Sequence, residues 1–111
     1  MKRVYLGEFE ELVLLIVAML GDDAYGVKIT HDIIQQTNRS VRLNQVHASL
    51  NRLEDKGMII SKVGDPTAER GGRRKRIFTI TVFGQQTLKE MKEVRAHLWS
   101  LLPSALKIVA G

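Results

Sequence analysis

The apolar residues change period twice along the chain, and this constrains the fold more than any other feature. Up to Gly57 they recur at helical spacing, from Met58 to Val82 they fall in short β-branched runs, and from Leu88 the helical spacing returns. Such an order describes a mainly α chain with one small β-hairpin. At 111 residues it is one domain, with enough surface to bury for a core of its own. Cys is absent, which excludes a disulfide scaffold, a thiolate zinc finger, an iron–sulfur cluster and a Cys nucleophile.

Phe9, Leu12, Val13, Leu15, Ile16, Met19 and Leu20 predict a helix from about Glu8 to Leu20, its first turn acidic and its end at Gly21. It is apolar nearly all round, and so needs burial on more than one side. Asp22 and Asp23 can cap a second helix over about Tyr25 to Thr37, with Val27, Ile29, Ile33 and Ile34 on its face. A third, from about Asn44 to Lys56, gathers Leu43, Val46, Leu50 and Leu53 on one stripe before Gly57. The runs 58–63 and 77–82 read as a hairpin with a loop over 64–75. A fourth helix enters at Thr81 or at Phe83-Gly84 and is broken or kinked at Pro103.

Net charge is +5, and it is unevenly placed. Residues 1–40 carry four basic and six acidic side chains, net −2, while residues 41–83 carry nine and four, net +5. Within the middle segment Arg70, Arg73, Arg74, Lys75 and Arg76 put five cations into seven residues. A run like this self-repels unless something anionic lies against it.

Three helices, a hairpin with a basic tip and a long helix follow the order of a winged helix-turn-helix. In that arrangement the third helix would enter a major groove, its N-terminal residues near base edges. Its outward face offers Asn44 and Gln45, whose amides match adenine N6/N7, and Arg52, whose guanidinium matches guanine O6/N7. Ala48 between them allows close approach. The wing cations Arg70, Arg73, Arg74, Lys75 and Arg76 would supply sequence-independent affinity by neutralising phosphates.

The strings Leu6-Gly7-Glu8-Phe9-Glu10-Glu11-Leu12, Asp22-Asp23-Ala24-Tyr25-Gly26-Val27, Leu50-Asn51-Arg52-Leu53-Glu54-Asp55-Lys56-Gly57-Met58-Ile59, Gly71-Gly72-Arg73-Arg74-Lys75 and Thr79-Ile80-Thr81-Val82-Phe83-Gly84 resemble the PadR family of bacterial transcriptional regulators. The likeness covers about residues 6 to 90. It implies a winged-helix dimer that represses transcription, with residues 1–83 as the DNA-binding part. The helix from residue 84 onward would be the dimerisation element, as in the short-chain branch, packed against the first helix of the partner. The family usually carries a DNA-reaching Tyr where this chain has His47, which can also donate to a base or a phosphate; the plainer reading is a helix-flank His.

The apolar stripe of the last helix is too broad for one contact surface, which predicts a two-fold homodimer through Leu88, Met91, Val94, Leu98 and Leu102 with Leu12 and Ile16 of the first helix. The alternative is that the stripe packs on its own domain. Trp99 lies at the stripe's edge. In some short PadR-like regulators an aromatic on this helix lines an interface cavity for flat hydrophobic molecules, which would make Trp99 an effector contact; the alternative is plain packing.

Enzymatic and metal readings find no support. The chain lacks the phosphate-binding, dinucleotide, zinc-protease and nucleophile-elbow motifs, and His31, His47 and His97 are dispersed. No cofactor is expected. The longest apolar run, Leu12 to Leu20, has nine residues, against about 20 for a membrane span. With no export signal, a cytoplasmic location is the default. Two rival classes remain, an RNA-binding winged helix and a winged helix used for protein contact alone. The first normally adds exposed aromatics for base stacking, and the second leaves the basic wing unexplained.

Overall fold

The computed structural model describes residues 5–64, 74–107 and 109. Four helices, α1 (Glu8–Leu20), α2 (Gly26–Thr37), α3 (Leu43–Asp55) and α4 (Val82–Ser100), surround a two-stranded sheet of β1 (Ile59–Val63) and β2 (Arg76–Ile80). This is the winged helix-turn-helix that the order of periods predicts. The strands pair antiparallel with Ile59 opposite Ile80 and Val63 opposite Arg76. Phe78 N–H also donates to Ala24 O at 2.8 Å, tying the stretch before α2 to the edge of β2.

One core holds these elements. Val13, Leu14 and Val17 of α1 meet Ile29 and Ile33 of α2, Val46, Leu50 and Leu53 of α3, and Met58, Ile59 and Phe78 of the sheet. Each fully buried aliphatic side chain contributes roughly 1.5–3 kcal/mol by leaving water. Three acids in the first turn of α1 complement its dipole. Asn38 closes α2 in the left-handed conformation at φ 56°, which Asn tolerates better than most residues.

Where the elements differ from expectation, the cause is local. Asp22 and Asp23 do not cap α2, because they lie in a single 3-10 turn over Gly21–Asp23 and Tyr25 takes the cap position. β2 stops at Ile80, since Thr81 turns to cap α4, its Oγ1 accepting from Gly84 N–H at 3.0 Å. α4 ends at Ser100, short of Pro103: Leu101 and Leu102 N–H bond to Leu98 and Trp99 O in i to i−3 fashion, and a residue before Pro avoids the α conformation.

The two halves of α4 differ. Gly84 and Thr87 are buried and Leu88 and Met91 pack against the core, whereas every residue from Lys92 to Ser100 is exposed. No helix among the described residues is long and apolar enough to cross a membrane.

Candidate nucleic-acid interface

α3 presents its polar side because its apolar stripe is buried against α1 and α2. Val46, Ser49, Leu50 and Leu53 are inside, and Asn44, Gln45, His47, Ala48, Asn51, Arg52 and Asp55 are exposed. The four residues expected to read bases at the start of the helix thus share one solvent-facing surface, and Asn51 extends it by a turn. Gln45 also helps to close the helix start. Its Oε1 accepts from Arg42 N–H at 3.4 Å, part of a weak N-terminal cap that leaves its amide N–H groups available. Asp55 puts a negative charge at the C-terminal end of this face, whereas its N-terminal part carries no acidic side chain.

His47 sits on the flank facing α2. A Cβ placed on Gly26 would lie 2.7 Å from His47 Cε1 and 2.9 Å from Nε2, so the ring rests directly on the glycine. A side chain at Gly26 would therefore displace the His47 ring from this position. No sequence motif points to that contact.

Arg52 is placed differently from the expectation of a base reader. Its Nη2 donates to Ser49 Oγ at 3.1 Å and its Nε lies 3.9 Å from Glu10 Oε2. Glu10 is a buried carboxylate at the start of α1, and Lys56 Nζ donates to both its oxygens, at 2.9 and 3.1 Å, and to Tyr5 O at 3.4 Å. Burial works against the charge on Glu10. Lys56, Gly7 N–H and the more distant Arg52 outweigh it and hold the carboxyl below its usual value. In sequence Glu10 reads only as a dipole-complementing acid; nothing pairs it with a residue 46 positions away.

The wing cations are likewise not equivalent. Arg70 and Arg73 lie outside the described residues, and Arg74 is exposed. Lys75 Nζ lies 4.4 Å from the centroid of the Tyr25 ring. Arg76 Nη1 donates to Ser61 Oγ at 2.9 Å, and Ser61 Oγ donates to Glu54 Oε2 of α3 at 2.8 Å.

At the expected subunit interface the residues also divide. Ile16 is 7% exposed within its own core, so it is withdrawn from any partner, and Leu12, Leu88 and Met91 are partly buried in the same subunit. α1 buries one side and exposes Leu15, Ala18 and Met19. On α4, Val94, Leu98 and Trp99 are exposed, Trp99 at 70%, as is Leu102 just beyond it. Among the described residues, two open grooves flank α4. One, of about 460 Å³, runs between Tyr5 and the Met91–Val94–Leu98 face; the other, of about 620 Å³, lies beside Leu15 and Leu88. Trp99 lines neither. Arg95 touches both and donates to Glu11 Oε2 at 2.5 Å, fastening α4 to α1. Among the described residues no group of three or more His, Asp or Glu side chains could hold a metal ion.

No protein-family model matches the chain. A protein of Lysinibacillus sphaericus described as uncharacterized is 32% identical over 98 residues, spanning 86% of this chain and 85% of that one. Among solved structures, a PadR-like transcription factor from Bacteroides fragilis superposes with a TM-score of 0.70 at 17% identity, covering 83% of this chain and 84% of that one. A PadR family transcription regulator from Clostridium difficile gives 0.67 at 23% identity, covering 86% and 94%. A PadR-like transcriptional regulator from Bacillus cereus gives 0.68 at 17%, covering 83% and 84%. At these identities the structural likeness is one of fold.

Proposed function

The chain belongs to one family with the Lysinibacillus sphaericus protein and has the winged-helix fold of the PadR-like regulators, and from that premise we propose that it is a non-enzymatic, sequence-specific regulator of transcription that binds duplex DNA. The observation that carries this reading is the exposed row of Asn44, Gln45 and Ala48 at the N-terminal end of α3, in a fold whose hairpin also carries Arg74, Lys75 and Arg76. Asn and Gln amides offer the donor–acceptor pair that matches adenine, and Ala48 keeps the backbone near the groove floor. Arg70, Arg73 and Arg74 are assigned to the phosphates, and His47 to a phosphate or base at the crossing with α2.

Two subunits are proposed to pair through the projecting half of α4, where Val94, Leu98 and Leu102 are exposed together with Leu15 and Met19 of α1. An isologous pairing would bury this surface twice and set two α3 helices about one DNA turn apart, matching a pseudo-palindromic operator. Repression follows where such an operator overlaps a promoter. A small hydrophobic or aromatic effector is assigned to the paired face of α4 at Trp99, which is exposed in the single subunit.

Genome-wide recovery of bound DNA, followed by titration of the recovered duplex, the matching RNA duplex and single strands, tests the reading. Preference for duplex DNA supports it, and preference for RNA or for no nucleic acid refutes it. Sedimentation of the protein and of Leu98→Glu tests the pairing, with a dimer expected for the first and a monomer for the second. Quenching of Trp99 by planar aromatic compounds tests the effector.

A further inference from the structure

Building on the DNA-binding reading, we propose that Ser61 is a positioning residue: with Glu54 and Arg76 it fixes the angle between the wing and the recognition helix. The Ser61 hydroxyl has one proton, and it goes to Glu54 Oε2 at 2.8 Å; its oxygen accepts from Arg76 Nη1 at 2.9 Å. Both senses of the hydroxyl are used, so its orientation is set. Glu54 lies in the last turn of α3 and Arg76 opens β2. No direct ion pair joins them within 4 Å, so the serine is the bridge between helix and wing.

A second contact grips the wing from its other side. Successive residues of an extended strand point to opposite faces. Lys75, next to Arg76, lies over the Tyr25 ring at the start of α2, while its carbonyl accepts from Gly64 N–H at 2.7 Å. The loop end of the hairpin is thus held to α2 by Lys75, and to α3 by Ser61 of β1, whose hydroxyl Arg76 of β2 fixes. Two cations that charge counting assigns to phosphates instead hold the wing, and they determine where Arg74 is presented.

Phosphate contact and positioning differ in salt dependence. Losing a phosphate ligand lowers the slope of log affinity against log salt by about one per contact, and losing a positioning residue leaves the slope unchanged. Ser61→Ala changes no charge. It is expected to weaken duplex binding about 5- to 10-fold at an unchanged slope, and Ser61→Thr, which keeps the hydroxyl and suits a strand, should restore binding. Arg76→Ala should weaken binding without altering the slope, and Arg74→Ala should lower it.

Amide hydrogen exchange of residues 59–64 and 76–80 provides an arm independent of DNA: faster exchange is expected at Lys62 to Gly64 in Ser61→Ala and wild-type exchange in Ser61→Thr. Wild-type affinity of Ser61→Ala, or a reduced slope in Arg76→Ala, overturns the proposal. If the wild-type protein binds no duplex, the DNA reading fails on its own, and exchange then decides the bridge: unchanged exchange in Ser61→Ala overturns it.

Discussion

The two ends of α3 are equally polar and are held in opposite ways. At the C-terminal end, Lys56 is bound to Glu10 and to Tyr5 O, Glu54 to Ser61, Gly57 O accepts from Thr81 Oγ1 at 2.7 Å, and Met58 O accepts from Thr81 N–H at 2.9 Å. That end is fastened to α1, to the wing and to the start of α4. At the N-terminal end, Asn44 and Ala48 face solvent and Gln45 makes one long bond. A helix that enters a groove by its tip needs one end rigid and the other unencumbered. Positive charge near the surface is therefore a poor guide to contact here, since Arg52, Lys56, Lys75 and Arg76 all have partners within the fold.

The largest effect is expected where the fixed end meets α4. A Cβ on Gly84 would lie 2.3 Å from Met58 O and 2.8 Å from Ile80 Cγ1, and a backbone carbonyl cannot swing aside as a flexible side chain can. Gly84→Ala should cost about 3 kcal/mol, the upper part of the usual range for overpacking, as read by denaturant unfolding. Stability within about 0.5 kcal/mol of wild type would mean that the fixed end yields. Next in size is the free end. Asn44→Ala should leave stability unchanged and reduce discrimination at one operator position by roughly 1 to 3 kcal/mol, measured by titrating single-base variants of the recovered site. A matching loss of stability would show that this end is also structural.

The elements of this contrast were legible in the sequence to different degrees. Period and punctuation revealed the helices and strands, because burial repeats locally: Val46, Leu50 and Leu53 mark the inner side of α3 without knowledge of what covers it. The same pattern marked Asn44, Gln45 and Ala48 as outward. What escaped was long-range pairing. Glu10 and Lys56, or Tyr25 and Lys75, are each acceptable as solvated residues, and only the fold brings them together. The core place of Ile16 escaped for a related reason, since α1 is apolar nearly all round and its pattern does not say which side faces its own domain.

A smaller effect is expected at the ion pair that holds the far end of α3 to α1. Glu10→Gln removes the charge that Lys56 and Arg52 share, and should cost about 1 kcal/mol at neutral pH, between the values typical of exposed and of buried pairs. The pH dependence has a defined sign. The folded protein holds Glu10 below its ordinary value of 4.5, so the folded state favours the deprotonated form. The stabilisation is full above that value and disappears as pH falls through the lowered one. The gap between wild type and Glu10→Gln in denaturant midpoint should therefore close on acidification below about 4.5; a constant gap would assign the effect to packing.

The smallest effect is expected at Arg52, where the contrast between the two ends is sharpest, because this residue stands between them. Its guanidinium faces Ser49 and Glu10, and its side chain is about half exposed, which weakens the ion pair further. Arg52→Ala should change stability by less than about 0.5 kcal/mol and duplex affinity by less than about threefold, equally on all sequences. A loss confined to one guanine would return Arg52 to base reading and move the boundary of the free end by about one turn. A uniform loss with a salt slope lower by about one would make it a phosphate ligand instead. Affinity and slope measured together on the same duplexes separate the three outcomes, because a held side chain changes neither, a reader changes affinity at one base, and a phosphate ligand changes both everywhere.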